Sequence, residues 1–248
     1  MRVAELWRYP VKSLQGERVA AAELTPAGLA GDRRWALFDL GTGLGLTARR
    51  HPVLLHAAAR LREDGGVDVV LPDGSVAADD DALSAWLGRP VELRAAEAPG
   101  PRRYENPGDI ETEAEDSWWV FEGSRDAFHD SVALSLLSTA TIGSHPVRRF
   151  RPNVLLDGGP DGGEDALLGA TVRIGDAVVT LTEPVPRCVM VTRAQPGGIE
   201  VDRDVLRWIH RERAGMLAVG AAVLRPGTVR VGDEVTADPS AVPVGAPR

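Results

Sequence analysis

Lys12 is the one lysine in a chain of 248 residues that carries 27 arginines. Arginine offers a planar fork of donors and lysine a compact, flexible point charge, so a composition that otherwise chooses guanidinium marks position 12 for an anion contact, unless the residue merely escaped the bias. Arg148, Arg149 and Arg151 lead through Pro152 to Asn153. Guanidinium groups entering a turn of fixed φ could grip phosphate oxygens in pairs, with the Asn amide as a further donor; a solvated basic turn has the same composition. Cys188 is the only cysteine, and it follows Arg187. A neighbouring cation favours the thiolate, which attacks electrophiles and binds soft metals, whereas burial among apolar groups would leave an inert thiol.

Other chemistries are excluded by what the motifs lack. Gly41-Thr42-Gly43-Leu44-Gly45-Leu46 fails as a dinucleotide loop at Leu46 and reads as a hairpin turn. Lys12-Ser13 follows Tyr9-Pro10-Val11 where a phosphate-binding loop needs glycines, and no G-x-S-x-G elbow or H-E-x-x-H helix exists. One cysteine can neither close an internal disulfide nor hold an iron–sulfur cluster. A net charge of −8 argues against broad affinity for nucleic acid. With no apolar run of about 18 residues and no apolar signal region in MRVAELWRYP, the reading is a bacterial-type cytoplasmic chain, away from membranes.

These residues must be positioned mostly by short strands. Arg2–Tyr9, Trp35–Asp39 and Val67–Leu71 are strand candidates, the last returning at Ser75–Ala77. Thr171–Ile174 and Ala177–Thr182 predict a hairpin about Gly175-Asp176, and VRIGDAV at 172–178 is echoed by VRVGDEV at 229–235, which predicts a second one. Cys188–Thr192 is nearly all apolar, so the cysteine is expected at the start of a buried strand. Helices are expected from Asp79-Asp80-Asp81 to Gly88, and after Asp202 with Val205, Leu206 and Ile209 on one face. The Pro- and acid-rich stretch from Glu97 to Glu122 is the candidate domain junction.

Taken in order, YPVKS (9–13), GDRRW (31–35), TARRHP (47–52), RFRPN (149–153), PRC (186–188) and PGTVRVGDEV (226–235) resemble the MOSC superfamily, specifically members with an N-terminal β-barrel region such as the amidoxime-reducing component family. The resemblance implies a mainly β fold with a few helices (α+β), in which a barrel-like region at 1–115 packs on a MOSC β-barrel domain at 116–238, followed by a flexible tail at 239–248. It implies that the thiolate of Cys188 binds molybdenum. It also implies that Lys12, Ser13, Arg33, Thr141, Arg151, Asn153 and Arg187 surround the pyranopterin of the molybdenum cofactor and its phosphate.

The implied activity is two-electron reduction of N-hydroxylated compounds, with electrons from an external ferredoxin or flavodoxin-type protein. Two alternatives are a carrier of cofactor or sulfur on Cys188 without redox turnover, and a catalytically silent β-rich binding protein. Two departures from the family pattern bear on the pocket. Only ten residues separate Thr141 from Arg151, and Gly220 stands where the family often has a Tyr near the cofactor.

Overall fold

The strands nearest the arginine motif show why their sequences lack alternation. Ser135–Ser138 and Val154–Asp157 run parallel, with Leu136 opposite Val154 and Leu137 opposite Leu155. Leu136, Val154 and Leu156 enter one core with Val3, Leu6, Ile174 and Val179. Leu137 and Leu155 enter another with Phe150, Val185, Leu217 and the helical Val205, Leu206 and Ile209. Strands buried on both faces need apolar residues at consecutive positions.

The computed structural model describes residues 1–108, 117–124, 127–159 and 163–237; the tail expected at 239–248 lies outside them. These strands belong to an eight-stranded sheet in the order Val235–Ala237, Thr171–Ile174, Ala177–Pro186, Met216–Arg225, Ser135–Ser138, Val154–Asp157, Arg2–Arg8, Glu17–Val19. The first strand of the chain thus pairs with Val154–Asp157, and Ala21–Thr25 pairs with Gly227–Arg230. A separate core of Val11, Leu14, Leu37, Leu54, Leu55, Val69, Leu83 and Val91 fills the N-terminal barrel-like region. The described residues are mainly β with three α-helices, the fold class expected.

Both longer helices follow their end signals. Asp80–Leu87 begins where Asp79 accepts a hydrogen bond from the Ala82 N–H at 2.9 Å and ends at Gly88 with φ 65°. Asp202 accepts from the N–H groups of Asp204 and Val205 to open Asp204–Arg213. Among these residues no helix is long and apolar enough to cross a membrane.

Two expectations fail. Cys188–Thr192 is not a strand: the long strand ends at Pro186, and Val189–Thr192 is a single 3₁₀ turn. Pro184 and Pro186 lack the N–H that a ladder needs, and the register slips between them. The run is apolar because it is wedged between cores, with Val191 in the helix-facing one and Met190 against the N-terminal one. The second hairpin also fails, because Gly227–Arg230 and Val235–Ala237 join different sheets on either side of a turn at Gly232. The stretch from Glu97 to Glu122, the candidate junction, contains a hairpin, Arg103–Pro107 with Trp118–Glu122, whose Tyr104 packs on Phe38. Arg103–Pro107 and Trp118–Glu122 therefore pair across the expected division at 115 and 116.

Candidate functional site

The Lys12 segment reaches the site along the end of the first strand. The Lys12 N–H donates to the Trp35 carbonyl at 2.8 Å, and Ser13 takes a φ of 68° while its Oγ accepts from the Ala48 N–H. The Arg33 backbone docks on the Tyr9 carbonyl with φ 48°. Arg151 follows a 3₁₀ turn, Val147–Arg149, with φ 52°. Among the described residues, three of the five non-glycine residues with left-handed backbone are therefore sequence-predicted site residues. Side chains avoid this region at a cost of about 1–3 kcal/mol, and such strain concentrates where structure serves a site.

Lys12, Ser13, Arg33, Arg151, Asn153, Arg187 and Cys188 line one cavity of about 320 Å³ between the two halves of the chain. Thr141 is the exception. Its hydroxyl donates to Glu164 Oε2 at 2.6 Å, and a short helix, Thr139–Ile142, holds it outside the cavity lining. Asn153 is turned to structural work: its Oδ1 accepts from the Ser135 N–H at 3.1 Å and its Nδ2 faces the Trp7 carbonyl at 3.4 Å. Gly220 does not mark a vacated ring. A Cβ there would lie 2.5 Å from Val132 Cγ1, so Val132 already takes the space.

Sequence reading missed Arg49, Asp130 and Tyr9, and read Arg149 as a phosphate contact. Arg49 is buried, forms an ion pair with Asp130 at 2.9 Å and interacts with the Cys188 side chain. It lies in the TARRHP fragment, so its signal was present. Asp130 pairs with Lys12 and is the one carboxylate among the described lining residues, facing Lys12, Arg33, Arg49, Arg149, Arg151 and Arg187. Tyr9 lies under two cations, with the guanidinium carbons of Arg151 and Arg33 at 4.2 and 4.8 Å from its ring centre. Arg149 donates to the carbonyls of Val191, Arg193 and Glu200 and so ties down the loop after Cys188.

The cations divide by partner. Arg33 pairs with Asp32, and Arg49 with Asp130. Burial works to lower both pKa values, yet the carboxylates, with Cys188 also acting on Arg49, hold both above the ordinary value. Lys12 is lowered by burial despite Asp130. Arg151 and Arg187 hydrogen-bond only carbonyls in the described contacts: Leu14 at 2.6 Å for Arg151, Leu217 and Phe150 at 2.7 and 2.9 Å for Arg187. Burial, reinforced by Arg33, pushes each down to about 10. Arg187 Nη2 is buried without a partner. Buried guanidinium groups held by carbonyls beside a thiol suit an anion with a soft-metal end.

Two family descriptions match this architecture. "MOSC N-terminal beta barrel domain" matches residues 1–100, and "MOSC domain" matches residues 129–236. The chain belongs to the MOSC proteins, in the form that carries the N-terminal barrel ahead of the MOSC domain. It is 30% identical over 113 residues to a molybdenum cofactor sulfurase of Botryotinia fuckeliana, a match spanning 44% of this chain and 13% of that protein. Among solved structures, the YuaD protein of Bacillus subtilis aligns over 94% of this chain and 93% of its own at 13% identity, TM-score 0.44. YiiM of Geobacillus stearothermophilus aligns over 43% of this chain and 54% of its own at 17% identity, TM-score 0.33.

Proposed function

We propose that this protein binds a molybdenum cofactor with the Cys188 thiolate on the metal, and reduces N-hydroxylated compounds with electrons from an external ferredoxin or flavodoxin-type protein. The reading rests on one observation: a lone thiol shares a cavity with Arg151 and Arg187, buried arginines that make no carboxylate ion pair among the described contacts. Guanidinium groups cannot ligate metals, and among the described residues no group of three His, Cys, Asp or Glu could hold a bare ion. The donor set fits a metal carried inside an anionic organic group, with one soft ligand for the metal and forks for phosphate. The buried, unpartnered Arg187 Nη2 is a donor such an anion would satisfy.

When bound, the cofactor supplies two-electron chemistry that cleaves an N–O bond, giving the amine-type product and water after two protons are taken up. The chain's own residues bind and orient. Arg151 and Arg187 neutralise the anion, Arg33 and Ser13 hold it from the other half, and Arg49 fixes Cys188 against Asp130. The name of the fungal relative favours a second reading, in which Cys188 carries cofactor or sulfur without turnover.

Elemental analysis of freshly purified protein tests the first claim, with about one molybdenum per chain expected. Turnover of benzamidoxime with an artificial reductant tests the second. Bound molybdenum without turnover would leave the carrier reading, and absence of the metal would defeat both cofactor readings.

A further inference from the structure

Arg148 is the member of the arginine motif that the cationic cavity leaves out. Its guanidinium donates to the Pro196 carbonyl and lines a separate groove of about 590 Å³. The N-terminal part of the chain supplies Trp7, Arg18 and His56 to this groove, and the C-terminal part supplies Arg148 and Pro196. No aspartate or glutamate is among its described lining residues, in a chain whose net charge is −8. Glu5, outside the lining, accepts from Trp7 Nε1 at 2.6 Å and pairs with Arg18 at 3.4 Å, while the Arg18 side chain stays 61% exposed.

Packed rings join the groove to the cationic cavity. Trp7 stacks on Tyr9 with ring centres 6.2 Å apart and planes 13° from parallel. Tyr9 in turn lies under Arg151 and Arg33, whose guanidinium carbons stand 4.2 and 4.8 Å from its ring centre and which line the cavity. Both rings are buried, so water does not interrupt the series. Electron transfer weakens steeply with distance and runs better through packed atoms than across gaps, and the groove is therefore a place from which electrons can reach the cavity. Its charge selects the visitor. Cations without lining carboxylates steer an acidic face into contact, and arginine and tryptophan are the residues that most often anchor such contacts.

We propose that this groove docks the electron donor, a small redox protein that presents an acidic face around its redox group. The inference rests on the reading of the cavity as a reductase site and names where that site's partner binds. Cleaving one N–O bond consumes two electrons, so a one-electron donor arrives reduced and leaves oxidised twice for each amine-type product and water formed. A salt-sensitive contact that opens between visits meets this need better than a tight one.

The test is biolayer interferometry of a plant-type ferredoxin, an acidic one-electron carrier, on the full-length protein as purified and as Arg18→Glu, Arg148→Glu and Arg207→Glu variants. Arg207 is exposed on the helix Asp204–Arg213, outside the groove, and controls for net charge. Binding is expected at about 20 mM salt and should weaken at least fivefold at about 200 mM. Either groove substitution should weaken it at least fivefold, and Arg207→Glu less than twofold. Absence of binding in the parent overturns the proposal, as does an equal loss in Arg207→Glu. Competition by a single-stranded DNA oligonucleotide of equal affinity also overturns it, because the groove would then take any polyanion. Turnover separates the two claims. Arg18→Glu should raise the KM for ferredoxin at least fivefold and leave benzamidoxime turnover by an artificial reductant unchanged; an equal loss with both donors would make Arg18 structural and defeat the docking site. Groove-dependent ferredoxin binding without artificial-reductant turnover defeats the reductase reading and leaves the groove, while turnover without ferredoxin binding does the reverse.

Discussion

The two walls of the main cavity carry the same charge and treat it differently. On the N-terminal wall, Arg33, Lys12 and Arg49 each face a carboxylate supplied by the protein, Asp32 or Asp130. On the C-terminal wall, Arg151 and Arg187 have carbonyl dipoles in place of carboxylates, and their pKa values fall to about 10. Dipoles orient a guanidinium but do not cancel its charge, so the field left over for an anion comes mainly from the C-terminal wall, next to Cys188. The N-terminal wall is positioned in advance, and the C-terminal wall is where an incoming anion gains most.

Removing the thiol is the largest perturbation of this contrast. Cys188→Ala should lower benzamidoxime reduction at least 100-fold, with the thermal midpoint moved by no more than a few degrees, since a half-buried thiol contributes little packing. Full activity in that variant would end the metal-ligand assignment.

The walls themselves are compared by molybdenum retention after gel filtration. Arg151→Ala and Arg187→Ala should each cost tenfold or more in retained cofactor, and Arg33→Ala clearly less, because Asp32 already offsets its charge; Lys12→Ala should fall between, because Lys12 shares Asp130 with Arg49. Equal losses from both walls would show that local pairing does not set anion affinity.

A pH titration sharpens the picture at the junction. His129 is neutral in the folded protein, with a pKa of about 4 against an ordinary 6.5, because of burial and the nearby Arg33. The unfolded chain takes up this proton first, so stability falls as pH drops from 6.5 to 4. The gap is worth about 3 kcal/mol. His129→Gln should flatten that limb of the stability curve in denaturant titrations at pH 7, 5.5 and 4; an unchanged limb would show that His129 does not titrate this way.

The smallest effect tests whether left-handed backbone serves the cavity. Ala218 holds φ 79° in a buried strand and is not among the cavity-lining residues, so Ala218→Gly should leave cofactor content unchanged and raise stability by up to about 1 kcal/mol. Thermal unfolding checks it. Lower stability would show that the alanine methyl packs better than its backbone suffers.

Local rules were sufficient for some of this molecule. Asp79 and Gly88 bound their helix because capping acts within one turn, and Gly175 turns its hairpin with φ 56° because the hairpin is closed by neighbours in sequence. Lys12, Arg151 and Cys188 were legible as chemical types by scarcity and context. Their meeting in one cavity was not, because the contacts span sequence separations such as the 137 residues between Arg151 and Leu14. The same limit explains the errors. Cys188–Thr192 is apolar because two distant cores close on it, the two VRxGD segments end in different sheets, and Thr141 is claimed by Glu164. Sequence alone determined which groups can carry charge, donate or ligate, since that is side-chain chemistry. Only the tertiary structure decided which charges are cancelled, because cancellation depends on distance and burial between residues far apart along the chain.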